Sequence, residues 1–192
     1  MIIIMLRLDD LPNIKDPVKK RAVFIALLSE EIIKRGGEAP IVVGGEALEI
    51  YTQGAYTTGD IDLKTPLKIT EDVLSEWNFI KRGRTWFNES LDLYVDLLGE
   101  TLDEGKDAEK RTERVEIEEG AVIRVLSIED LIIDRLNAFK WWDDKDSKMW
   151  VKVMIGIYNK IGKDIDKDYL EGRALSEGLQ DVLKELFQEL KI

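Results

Sequence analysis

Cysteine and histidine are both absent from this 192-residue sequence. Without cysteine there are no disulfides, no thiolate metal sites and no cysteine nucleophile. Without histidine the commonest general base and metal ligand is missing as well. Chemistry must therefore rest on carboxylates, Lys or Arg, hydroxyls or a bound ion. Basic residues are in deficit: 28 Lys and Arg stand against 39 Asp and Glu, a formal net charge of −11. Phosphate backbones are held mainly by Lys and Arg, so this balance argues against a broad nucleic-acid-binding surface and leaves room only for a local basic cleft. Long apolar runs are lacking too, and no stretch has the length of a membrane span. The early run Ile2 to Leu6 is shorter than a signal-peptide core, and Met5 is an equally good start, so a cytoplasmic protein without a membrane partner is expected. Asn and Gln are scarce while charged residues abound, a composition that resembles thermophile proteins.

Against these absences stands one informative stretch, Ile41 to Thr65, reading IVVGGEALEIYTQGAYTTGDIDLKT. An apolar strand over 41–43 ends in Gly44-Gly45, a helix from Glu46 to about Gln53 follows, and a strand over 60–64 carries Asp60 and Asp62 before Pro66 stops it. Alternation puts both carboxylates on one face and leaves Ile61 and Leu63 for burial on the other. Two like charges so close repel unless a cation lies between them, and oxygen-only ligands suit a hard ion such as Mg²⁺. The glycine pair lets backbone N–H groups approach a ligand at a helix N-terminus, where anions bind. Glu46 directly after the glycines would compete with such an anion, so its side chain is expected to turn outward.

Val43-Gly44-Gly45, Ala47 and Thr58-Gly59-Asp60-Ile61-Asp62-Leu63 together resemble the signature of the nucleotidyltransferase superfamily, and within it the small prokaryotic proteins of the AbiEii-like type. Fourteen residues separate Gly45 from Asp60, slightly more than that signature's usual gap. The basic residue that toxin-like members often carry before the Thr is missing. The resemblance implies an α/β (α+β) fold, a small mixed sheet flanked by helices. A catalytic core over residues 1–126 would be joined to a helical portion over 127–192 that forms the other wall of a cleft. It implies transfer of a nucleoside monophosphate from an NTP such as ATP to a hydroxyl acceptor, which is a protein, an RNA or a small molecule. Asp60, Asp62 and a third carboxylate would hold Mg²⁺ (or Mn²⁺), with Gly44 and Gly45 at the nucleotide. Two other readings stay open: a catalytically silent nucleotide- or partner-binding module of the same fold, and the toxin of a toxin–antitoxin pair with a cognate antitoxin.

The third carboxylate is sought on Leu91 to Leu98, which alternates: Leu91, Leu93, Val95 and Leu97 share one face, and Asp92, Tyr94, Asp96 and Leu98 the other. Alternation cannot choose between Asp92 and Asp96. The resemblance of Tyr94-Val95-Asp96-Leu97-Leu98 to the family's third-acid strand selects Asp96, as does its place near the strand's end.

Elsewhere, Asp16-Pro17 reads as an N-cap followed by proline at the first helical position, opening a helix that ends near Gly36-Gly37. A short helix over Thr70 to Trp77 and a hairpin around Gly83 follow. Lys81, Arg82 and Arg84 at that hairpin form the one compact basic cluster of the first half, and they read as a solvated turn in preference to a phosphate contact. Gly99 to Arg114 is dense in charge and reads as a flexible loop. A second hairpin turning at Glu119-Gly120 is expected at the sheet's edge. Ser127 caps a helix running to about Trp142, whose inward stripe is Ile128, Leu131, Arg135, Ala138 and Trp142. An inward arginine needs an anion, either a structural carboxylate or a ligand phosphate. Arg135 with Leu136, and then Lys145-Asp146, resemble AbiEii-like motifs, and the resemblance makes Arg135 a nucleotide contact. Trp141, Trp142 and Trp150 are read as core or interface residues. The remaining chain is expected to be helical.

Overall fold

Asp16 caps the first long helix as its composition requires: its Oδ1 accepts from the N–H of Val18 at 3.0 Å and of Lys19 at 3.4 Å, and Pro17 occupies the first helical position. The computed structural model describes residues 7–117 and 122–192, so the Ile2–Leu6 run and the Glu119-Gly120 turn lie outside the described residues. After a 3-10 segment Leu8–Asn13, the chain runs through α1 (Pro17–Lys34), β1 (Ile41–Val42), α2 (Gly44–Tyr51), β2 (Ile61–Lys64), α3 (Leu67–Glu76), β3 (Ile80–Arg82), β4 (Thr85–Asn88), β5 (Leu93–Leu97), α4 (Lys106–Arg111), β6 (Glu113–Glu116) and β7 (Val122–Val125). Helices α5 (Ile128–Trp141), α6 (Lys145–Lys160), α7 (Lys167–Glu177) and α8 (Gln180–Leu190) complete it. No helix among the described residues is long and apolar enough to cross a membrane.

The strands form one mixed sheet in the order β3-β4-β5-β2-β1-β7-β6. β2 lies parallel to β5 and β1 parallel to β7, while the other neighbours are antiparallel. The period of two decides what is buried: Ile61, Leu63 and Val95 are fully enclosed, on the face opposite the acids. Phe24, Ile25, Leu28 and Ile32 of α1 are enclosed as well, and α1 packs against α3 and β7. Each such side chain contributes about 1.5–3 kcal/mol by leaving water.

The chain divides into two compact units: the part up to Ala47 together with Thr57–Leu126, and Leu48–Tyr56 together with Ser127–Ile192. Aromatic contacts account for the short excursion. Tyr51 meets Tyr158 edge-on with ring centroids 6.1 Å apart, and Tyr56 meets Trp150 at 5.2 Å, so residues 48–56 are held by α6. In the same helical unit Ser127 caps α5 by accepting from Asp130 N–H. The buried Asp130 carboxylate accepts from Ser127 Oγ at 2.7 Å and from the Tyr169 hydroxyl at 2.9 Å, and it pairs with Arg173 at 3.2 Å. That network clamps α5 to α7.

Four expectations are corrected. The segment Gly99 to Arg114 is not a bare loop, because Leu102 and Ala108 are buried and α4 forms around them. Trp141 and Trp142 are 60% and 69% exposed, which removes them from the core and leaves the interface reading untouched: α5 ends at Trp141, so Trp142 no longer follows the helical stripe. The strand expected from Leu91 begins at Leu93, since Asp92 sits at φ 51° in a turn where Leu91 N–H donates to Asn88 Oδ1. The fourth, at Glu46, belongs to the site.

Candidate active site

Asp60, Asp62 and Asp96 converge. One carboxylate oxygen from each lies within 4.8 Å of the others. The convergence follows from register, because parallel pairing of β2 with β5 makes Asp62 and Asp96 direct partners and puts both on one face. Asp92, displaced into its turn and exposed, is not a member of the cluster. Each acid is oriented by a donor. Thr58 Oγ1 donates to Asp60 Oδ1 at 2.8 Å, Gly45 N–H to Asp62 Oδ2 at 3.2 Å, and Thr85 Oγ1 to Asp96 Oδ1 at 2.5 Å.

The Asp62 carboxyl is pushed from its ordinary 3.8 up to about 6, by burial first and by the Asp60 charge second; the Gly45 N–H opposes the rise, the Asp96 charge adds to it, and Arg84 offsets part. The native state therefore holds a proton that the unfolded chain has released between about pH 4 and pH 6. Folding stability from this group is full below that window and falls as pH rises through it. The donor set is all oxygen, its atoms are close enough to share one ion, and the cluster carries a strain that a divalent cation would relieve. These residues fit a hard divalent cation.

The glycine pair serves the carboxylates as well as the turn. Gly44 lies at φ 58°, and a Cβ there would stand 2.4 Å from Asp62 Oδ2, so the backbone of α2's first turn lies directly against the acid. The Gly45 N–H, expected to face a phosphate, is directed at Asp62. Glu46 does not turn outward. It is completely enclosed, and its Oε2 accepts from Arg21 Nε of α1 at 2.8 Å. A buried arginine one helix away draws the acid inward and anchors the start of α2. Glu46→Gln keeps the shape but makes the pair neutral on one side, and it should cost about 1–2 kcal/mol, read as a fall in the denaturant midpoint at unchanged slope.

Arg84 lies in the turn that the sequence reads as solvated, and its side chain is 71% exposed; its Nε also donates to Asp96 Oδ2 at 2.8 Å. No local pattern marks it, because its position comes from antiparallel pairing of β4 with β5, which sets Thr85 opposite Asp96. Lys81, from the same basic cluster, pairs with Glu71 instead. Arg135 belongs to the helical unit, where its Nε and Nη2 donate to Asp134 Oδ2 at 2.9 and 2.6 Å. Lys145 and Asp146 open α6, both exposed.

No family model matches the sequence, and no curated protein matches it. Solved structures do. A crystal structure of ANT(2'')-Ia in complex with adenylyl-2''-tobramycin aligns with a TM-score of 0.50 at 16% identity, covering 81% of this chain and 95% of that one. A solution structure of the same antibiotic-resistance factor aligns with a TM-score of 0.49 at 15% identity over 89% of this chain and 94% of that one. The Megavirus polyadenylate synthase aligns with a TM-score of 0.40 at 17% identity, over 79% of this chain and 34% of its own length. At such identities the likeness is one of fold.

Proposed function

We propose a function from one premise, that this chain has the fold of the nucleotidyltransferase superfamily. The protein transfers a nucleoside monophosphate from an NTP to a hydroxyl acceptor. The acceptor oxygen bonds to the α-phosphorus, the bond to the bridging oxygen of the β-phosphate breaks, and pyrophosphate leaves. The observation that supports this reading is the convergence of Asp60, Asp62 and Asp96 beside a glycine turn.

Asp60, Asp62 and Asp96 would hold Mg²⁺ or Mn²⁺. When bound, the ion supplies neutralisation of the triphosphate and a lowered pKa for an oxygen it holds. The remaining tasks fall to the chain. Thr58, Gly45 and Thr85 fix the three carboxylates in one orientation, so that no reorganisation is needed as charge develops. In a chain without histidine, either the lowered pKa of an oxygen on the ion or the Asp96 carboxylate would serve to free the acceptor's proton. Gly44 keeps the backbone close enough to the acids for a triphosphate to meet both. For Arg135 to contact a phosphate, its guanidinium must exchange Asp134 for the ligand.

An NTP should raise the melting temperature only when a divalent ion is present, because the carboxylates alone repel a triphosphate. Equal shifts in excess chelator overturn the metal-dependent reading. Incubation with each α-labelled NTP, Mg²⁺ and a cell extract should then label one acceptor; nucleotide binding without any labelling identifies a catalytically silent module.

A further inference from the structure

The carboxylate cluster already has one cation. Both oxygens of Asp96 are engaged by consecutive residues, Oδ2 by Arg84 Nε at 2.8 Å and Oδ1 by Thr85 Oγ1 at 2.5 Å. The two partners in the ion pair differ sharply in freedom. The Asp96 side chain is 5% exposed and held in the sheet, while that of Arg84 is 71% exposed and reaches the acid from the end of a hairpin. Arg84 Nη1 and Nη2 donate to no other residue among the described residues. Arginine does not lose its charge, so a guanidinium that must make way for another cation can do so only by moving. A phosphate offers the planar fork two parallel charge-assisted bonds, where Asp96 takes one.

We infer that Arg84 is a provisional counter-cation: it yields Asp96 to a divalent ion and turns its guanidinium to the phosphates of the donor nucleotide. The inference rests on the nucleotidyltransferase reading and names a donor-binding residue within it. It makes binding ordered in a specific sense. Arg84 opposes a divalent ion arriving alone, since like charges compete for one carboxylate, and favours the ion arriving with a triphosphate, which gives the displaced guanidinium a partner.

Opposite signs make the test decisive. Binding of Mn²⁺ alone is followed by loss of the free-ion paramagnetic signal, and binding of Mg²⁺ with a non-hydrolysable NTP analogue by calorimetry. Arg84→Gln should tighten Mn²⁺ alone by roughly threefold or more and weaken the magnesium–nucleotide complex by about tenfold or more. Arg84→Lys keeps the charge without the fork, so it should leave Mn²⁺ affinity near the parent value and still weaken nucleotide. If Arg84→Gln weakens both ligands together, the residue is a structural prop for Asp96 and the inference is wrong. It is equally wrong if neither affinity moves. A parent protein that binds Mn²⁺ but no nucleotide overturns the nucleotidyltransferase reading itself, an outcome distinct from either of these.

Discussion

Asp62→Asn removes metal-dependent nucleotide binding to below detection and, without added ions, raises the melting temperature at neutral pH. The two effects have one cause. Asp62 is part-buried, faces two other carboxylates and ionises only near pH 6, so its charge at pH 7 is held against burial and against Asp60. An amide of the same shape keeps an oxygen for the Gly45 N–H and drops the charge. The resulting gain, discounted for solvent screening, is about 1 kcal/mol, or roughly 2–4 °C in a chain of this size. The gain should shrink as pH falls from about 6 and vanish below about 4, where the parent carboxyl is protonated in both folded and unfolded states. Asp60→Asn should abolish nucleotide binding in the same way. Thermal scans across pH with and without Mg²⁺ and NTP check both halves, and an Asp62→Asn protein that still binds Mg·NTP removes Asp62 from the proposed site.

Gly44→Ala should damage stability and metal binding together. An alanine at φ 58° costs about 1–2 kcal/mol in backbone strain alone. Its Cβ would also stand 2.4 Å from Asp62 Oδ2, with the next nearest atoms of the same side chain at 3.0 and 3.2 Å, so the carboxylate has to rotate away. Rotation breaks the Gly45 N–H bond and spoils the alignment of Asp62 with Asp96 across the strand pair. Loss of an orienting partner at a metal site lowers affinity by about 10–100-fold. Gly36→Ala is the control. Gly36 also has positive φ, but a Cβ there meets nothing within 4 Å, so this variant should lose stability without changing Mn²⁺ affinity. Equal effects of the two substitutions on Mn²⁺ binding would show that the Gly44–Asp62 contact has no role in the site.

The sequence by itself determined what depends on near neighbours along the chain. Asp16-Pro17 starts α1 because a side chain two or three residues away satisfies free N–H groups, and Gly36-Gly37 marks its end. Asp60 and Asp62 share a face because a strand alternates, and the turn at Gly44 is legible because few other residues take φ near 58°. The tertiary structure decided what depends on partners far away in sequence. Asp96, and not Asp92, stands beside Asp62, since the register of β5 against β2 is a long-range pairing and Asp92 leaves the strand at positive φ. Glu46 turns inward to meet Arg21 on α1, 25 residues earlier. Arg84 reaches the site because β4 folds back on β5, and residues 48–56 join the helical unit through Tyr158 and Trp150 of α6. Local patterns set which residues can share a face; only the packed chain sets which faces meet, because a buried charge or a strand edge is stabilised by whichever partner the whole fold brings to it.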